Sequence, residues 1–321
     1  MTLTATVVKN AGSHYLLSEL PRWEPFPAVL RGRVRLDAGR ATNPVAVGDR
    51  VRYEANAEVS SAPAALPGTT EHPALITEVL PRDNYIIRRS TNLSRRSHII
   101  GANLDRALLI VTLHCPEIKL AFLDRLLVTA EVYGVRPIIV LNKIDLYGDE
   151  DRQGVARFCE IYEGAGYQVF VTSARTGEGI AALRELCRQG VSLLSGESGA
   201  GKSSVIKALD PSLDPKVAQI SLAHLQGRHT TSLYEMYPLS GGGYIIDTPG
   251  LRGFGLVDLE KDEIYKYFPE MLRVADDCRF VPCTHTHEPG CAVKEALERG
   301  EVSAERYASY LGMLEEDGKF R

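Results

Sequence analysis

Long hydrophobic runs are missing from this chain: segments such as Pro137–Leu141 fall far below the roughly 18 residues that a membrane span requires. The N-terminus also lacks a charged segment followed by an apolar signal core. No membrane partner is therefore expected, and the cytoplasm is the expected compartment. Cysteine is scarce, with six in 321 residues, too few for a secreted disulfide scaffold. Neither sign of charge prevails, since 37 Lys+Arg face 41 Asp+Glu for a net charge of -4. With 44% apolar residues, that balance excludes intrinsic disorder and a wholly basic nucleic-acid coat. What remains is a globular chain too long for one ordinary domain of roughly 100–200 residues, so two or three are expected. Charge is spread unevenly: residues 1–100 hold 13 Lys+Arg and 9 Asp+Glu, net +4, and the rest hold 24 and 32, net -8.

Three regions follow from patterning. Up to Arg89, short β-like runs (Ala5–Lys9, His14–Ser18, Ala28–Leu36, Asp49–Tyr53, Leu75–Val79) are separated by Gly, Pro and Asn turns, which reads as a small β-barrel. The Ala-, Ser- and Pro-rich segment Asn56–Pro73 reads as a loop between barrel strands. Arg88, Arg89, Arg95 and Arg96 then bracket a polar stretch expected to link domains. From Asp105 onwards, strand-like and helix-like segments alternate, the pattern of a mostly parallel sheet covered by helices. Beyond about Phe254 the chain is charged and helical, with little apparent apolar core, and ends in helices expected over Val293–Arg299 and Ser303–Glu316.

Gly196-Glu197-Ser198-Gly199-Ala200-Gly201-Lys202-Ser203 follows the apolar strand Val191–Leu194 and opens a helical run, the context that confirms a phosphate-binding loop. Glycines let backbone N–H groups wrap a phosphate, Lys202 neutralises its charge, and the Ser203 hydroxyl is suited to Mg²⁺; Ser204 is counted with them. Asn142-Lys143-Ile144-Asp145 follows another strand, and a carboxylate at its fourth position can accept from both N1–H and the 2-amino group of guanine. Adenine offers no such donors, so GTP is expected over ATP. Thr172-Ser173-Ala174-Arg175 resembles the loop that contacts guanine O6 in GTPases, which adds Ser173 and Ala174 to the base site. Asp247-Thr248-Pro249-Gly250 supplies a carboxylate for Mg²⁺ through water and a glycine amide for the γ-phosphate. In Gly227-Arg228-His229-Thr230-Thr231, a threonine can complete the Mg²⁺ shell while the γ-phosphate is present; Thr231 is favoured over Thr230. Leu251 stands where Ras-like enzymes place a water-orienting glutamine, so intrinsic turnover is expected to be slow, with His229 the candidate catalytic residue beside Lys202 and Thr231.

The base-reading elements precede the phosphate loop and both switches, the reverse of Ras-like order, so the GTPase domain is circularly permuted. At this point the chain resembles the bacterial RsgA/YjeQ family of small ribosomal subunit biogenesis GTPases. The likeness runs through Val47–Val51, Leu80–Asn84, Ala102–Asp105, Arg228–Thr231, Cys278-Arg279-Phe280 and Glu288-Pro289-Gly290-Cys291. It implies an OB-fold barrel over residues 1–90, a circularly permuted α/β P-loop GTPase domain over 91–255 and a mostly α zinc-binding domain over 256–321. It also implies stimulation of hydrolysis by the small (30S) subunit during late maturation, with release after hydrolysis to GDP. The alternative is an rRNA-binding module tuned by guanine nucleotide, in which hydrolysis is incidental.

Cys278-x₄-Cys283-x-His285-x₅-Cys291 provides three thiolates and an imidazole, a set suited to one structural Zn²⁺ without an open position. The resemblance carries the ligands onto these four residues, with His287 a second candidate histidine. Cys115, Cys159 and Cys187 are dispersed and are expected in core packing. Arg31, Arg33 and Arg35 alternate and so share a face, a candidate rRNA-binding stripe on a chain expected to be monomeric.

Overall fold

The computed structural model describes residues 3–12, 14–31, 44–54, 73–89, 97–213, 234–247 and 259–315. They form two compact units. One comprises Met1–Arg106, Leu183–Leu194 and Val205–Gly250; the other comprises Ala107–Ala182, Ser195–Ser204 and Leu251–Arg321.

In the first unit, β1 (Leu3–Ala11), β2 (His14–Ser18), β3 (Phe26–Leu30), β4 (Arg50–Glu54) and β5 (Ala74–Val79) follow the order β1-β2-β3-β5-β4. β4 returns to pair with β1 and closes a five-stranded barrel, which removes the exposed sheet edges. Period-two alternation sends Val51 and Tyr53 inward and Arg50 and Arg52 outward along β4, and Val7, Leu17 and Ile76 complete the fully buried core. Two segments that carried the family likeness meet here. The buried Asp49 carboxylate accepts from Arg82 Nε at 2.6 Å and Nη2 at 2.7 Å, so Val47–Val51 and Leu80–Asn84 are joined by a bidentate ion pair.

The supposed linker is flanked by strands. β6 (Tyr85–Arg89) and β7 (Ser97–Ala102) pair antiparallel. Their buried residues are consecutive, Ile86-Ile87 in one strand and Ile99 to Ala102 in the other. The register shift between Ile86 and Ile87 marks a bulge, which breaks the alternation on which strand recognition rests. A second strand without a clear sequence signal, β12 (Tyr234–Pro238), pairs antiparallel with the end of β1, Lys9 opposite Glu235, and with β13 (Tyr244–Asp247) on its other side. β13 runs parallel to β11 (Val191–Gly196).

In the second unit, β8 (Arg106–Val111), β9 (Pro137–Leu141) and β10 (Gln168–Val171) are parallel neighbours. β9 is buried at every position, as expected of a strand covered on both faces. Helices α1 (Leu120–Val132) and α2 (Arg152–Ala165) accompany them. Along the chain, α3 (Ile180–Cys187) precedes β11, and α4 (Lys202–Leu209) follows the phosphate loop. The C-terminal segment adds a 3₁₀ turn (Lys261–Tyr267), α5 (Pro269–Ala275), α6 (Ala292–Glu298) and α7 (Ala304–Glu315).

Contrary to the sequence expectation, that segment has an apolar core: Phe268, Met271, Val293, Ala296 and Tyr310 are essentially inaccessible. It also buries a charge. Arg306 on α7 donates to Asp124 on α1 at 2.8 Å and to Glu270 on α5 at 2.7 and 3.1 Å. Its guanidinium lies 4.5 Å from the Phe268 ring centre, so one cation ties three helices together.

Candidate nucleotide and metal sites

The loop from Gly196 to Gly201 ends β11 and opens α4 at Lys202. Two of its glycines are required by close approach. At φ +148, Gly196 sits where a Cβ would lie 2.2 Å from the Ile110 carbonyl oxygen, and at φ +98 a Cβ on Gly201 would lie 2.5 Å from Asn142 Nδ2. Neither position admits a side chain. Lys202 Nζ donates to the carbonyls of Gly196 at 2.7 Å and Glu197 at 3.0 Å, which stations the ammonium over the loop that a phosphate would fill. Ser203 and Ser204 occupy the first turn of α4, and Ala200 is buried.

Asn142 connects this loop to the segment Thr172–Ala174. The buried side chain donates from Nδ2 to the Ala200 carbonyl at 3.0 Å, and its Oδ1 accepts from the Ala174 amide at 3.1 Å and the Thr172 hydroxyl at 3.3 Å. Lys143 adopts a left-handed conformation, φ 67, and donates to the Cys115 carbonyl at 2.6 Å. Asp145 accepts from the Ser173 hydroxyl on Oδ1 and from Arg175 Nε on Oδ2 at 2.6 Å. Ser173 first, and then Arg175, hold its carboxyl below the usual range, so the group is ionised at neutral pH. Asn142 thus bonds to both the phosphate loop and Ala174, and Asp145 bonds to Ser173, in the same loop as Ala174.

Asp247 ends β13, opposite Leu194 in the parallel register with β11. His229, Thr230, Thr231, Gly250 and Leu251 lie outside the described residues, as do Arg33, Arg35, Arg95, Arg96 and the Asn56–His72 part of the barrel loop. Arg31 is described; it is exposed and pairs with Glu54 at 3.3 Å.

Sequence reasoning missed the supports of this site. The Tyr147 hydroxyl accepts from the Leu113 amide at 2.7 Å and donates to the Asn142 carbonyl at 3.0 Å. It fastens the loop after β8 to the loop of Asn142, a tertiary bond that no periodicity announces. Cys115, expected in the core, is exposed, because it lies in that same loop with φ 56. Cys159 is half-buried, and Cys187 is buried as expected.

The second site lies in the C-terminal segment. The ligand atoms of Cys278, Cys283, His285 and Cys291 fall within 4.8 Å of one another. His285 Nδ1 is 3.6 Å from Cys278 Sγ and 3.4 Å from Cys291 Sγ, and those two sulfurs are 4.0 Å apart. A four-coordinate ion with metal–sulfur bonds near 2.3 Å and metal–nitrogen bonds near 2.0–2.1 Å has tetrahedral edges of about 3.8 and 3.6 Å, so the donors are spaced to hold a metal. His287 does not join them; it is exposed and contacts the Thr286 hydroxyl. Surrounding groups fix the cradle. Glu288 accepts from the amides of Thr284, Thr286 and His287, while Tyr307 and Tyr310 donate to the carbonyls of His285 and Thr284.

Residues 79–257 match the RsgA GTPase family. The chain is 46% identical over 317 residues to a "Small ribosomal subunit biogenesis GTPase RsgA" of Bacteroides fragilis, covering 98% of each chain. It is also 46% identical to the protein of that name from Porphyromonas gingivalis, covering 99% of this chain and 98% of that one. Among solved structures it resembles YjeQ from Thermotoga maritima, with TM-score 0.75, 33% identity and 98% of each chain covered. It also resembles YloQ, described as a circularly permuted GTPase, with TM-score 0.70, 25% identity and 98% and 94% covered.

Proposed function

Because the chain belongs to the RsgA GTPase family, and is therefore a GTP hydrolase, we propose that it works in ribosome biogenesis on the small (30S) subunit. The reading extends to late maturation, with hydrolysis stimulated by the subunit and coupled to release. The observation that supports it most is the knot at Asn142. One buried amide engages both the phosphate loop and the loop of Ser173 and Ala174, although these segments stand in permuted order along the chain.

In this reading Asp145 accepts from guanine, Asn142 and Lys143 shape its pocket, and the loop carrying Ser173 and Ala174 meets O6 through a backbone amide. The loop from Gly196 to Gly201 wraps the phosphates with Lys202, Ser203 and Ser204. Ser203 and Thr231 would hold Mg²⁺ with Asp247 nearby, and Gly250 would meet the γ-phosphate. Bound Mg²⁺ would offset the charge that develops on the phosphoryl oxygens. His229 positions or deprotonates the attacking water. Cys278, Cys283, His285 and Cys291 hold Zn²⁺, a closed donor set suited to structure rather than catalysis. The domain limits stay at residues 1–90, 91–255 and 256–321. The barrel docks on rRNA, and the protein acts as a monomer in the cytoplasm.

A second reading is favoured by Leu251, which cannot polarise water: guanine nucleotide tunes rRNA affinity, and hydrolysis is incidental. GTP turnover titrated with purified small subunits separates the two. Saturable acceleration that His229→Ala abolishes, with GTP affinity retained, supports the first reading. Turnover unchanged by subunits leaves the second.

A further inference from the structure

A carboxylate has two oxygens and about four acceptor positions. The Asp145 carboxylate has one of these filled on each side by the chain itself, Oδ1 by the Ser173 hydroxyl and Oδ2 by Arg175 Nε. Each of these side chains occupies a single position, so neither oxygen is filled by them. That matches the paired N1–H and 2-amino donors of guanine, which must be met by both oxygens of one carboxylate in a single plane. The Arg175 guanidinium is planar and its Nε–H direction is fixed, so a bond to Oδ2 restrains rotation of the carboxylate about its last torsion, which is otherwise broad. The side chain of Asp145 is 8% exposed and that of Arg175 is 71% exposed. Arg175 thus approaches from the solvent side, without support from the core.

We propose that Arg175 is a specificity-determining positioning residue, which with Ser173 clamps the Asp145 carboxylate in the orientation that accepts two guanine donors at once. This rests on the reading of Asp145 as the guanine acceptor. A carboxylate free to rotate still meets one donor well but loses the match to two. Hypoxanthine, which keeps N1–H and lacks the 2-amino group, measures the difference. Arg175 also helps hold the Asp145 carboxyl below its usual range. Without it the carboxyl protonates at higher pH, and guanine affinity declines from a correspondingly higher pH as the solution is acidified.

The experiment measures the affinities of full-length wild type and Arg175→Ala for GDP, IDP and ADP from about pH 3, below the ordinary aspartate value, to about pH 8, with thermal melts alongside. Arg175→Ala should lower the preference for GDP over IDP about tenfold, roughly the weight of one charge-assisted hydrogen bond. It should also move the acid limb of GDP binding upward and leave the melting temperature unchanged. An unchanged GDP/IDP ratio, or equal losses for both nucleotides together with a lower melting temperature, would overturn the proposal. Wild type that fails to prefer GDP over ADP would overturn the Asp145 reading, and the clamp with it.

Discussion

At the scale of single residues, the base site turns on charge. Replacing Asp145 with Asn exchanges one acceptor oxygen for an N–H donor, which opposes guanine and suits the additional oxygen of xanthine. Competition binding should show GTP affinity reduced about a hundredfold, the order expected from losing two hydrogen bonds to a charged group, and XTP preferred. Unchanged GTP selectivity would remove the base-reading assignment. This residue was legible in the sequence because its neighbours form a contiguous motif after a buried strand. Tyr147 was not: its bonds to Leu113 and Asn142 depend on a loop from a different strand, and a tyrosine in a turn carries no signal of its partners. Arg175 was visible only as the fourth residue of its loop, since an exposed arginine gives no hint of which carboxylate it faces.

At the scale of elements, the C-terminal segment was half legible. Cys278, Cys283, His285 and Cys291 advertise a metal by type and spacing, yet a choice between His285 and His287 needs coordinates. His285 faces the sulfurs and His287 faces outward. Elemental analysis should therefore find metal lost from His285→Ala and retained by His287→Ala; the reverse pattern would exchange the ligand. The apolar core around Phe268 and Tyr310 was hidden because its residues are spread over a 3₁₀ turn and three short helices, none long enough to show a clear period. Nor does sequence reveal that Arg306 is buried. Arg306→Ala leaves Asp124 and Glu270 as uncompensated buried carboxylates, a change that typically costs about 3–5 kcal/mol. Urea unfolding should register a loss of that order, and a loss below about 1 kcal/mol would mean that water reaches the site freely.

At the scale of the molecule, the uneven charge bears on how the proposed complex forms. Contacts between arginine and phosphate release counterions, so co-sedimentation with small subunits should weaken steeply as salt rises, and each lost contact should flatten the log–log slope by roughly one unit. Arg31 already faces Glu54, so Arg31→Ala should change the slope less than Arg33→Ala or Arg35→Ala. Equal flattening in all three would show that Glu54 does not hold Arg31 back from phosphate, and salt-independent binding would end the arginine–phosphate account. The barrel strands were legible because they alternate around tight turns, whereas the junction of β1 with β12 was not, since strand pairing across such a distance leaves no local trace.

That junction also bears on how the chain is made. Lys9 meets Glu235 across 226 residues, and synthesis at roughly 5–20 residues per second takes about 11–45 s to cover that span. Until then the far end of β1 is covered by β2 on one side only, and its other edge is open to any strand nearby. Lys9 sits on that edge, where a lone positive charge discourages unwanted pairing during synthesis and becomes half of an ion pair once β12 arrives.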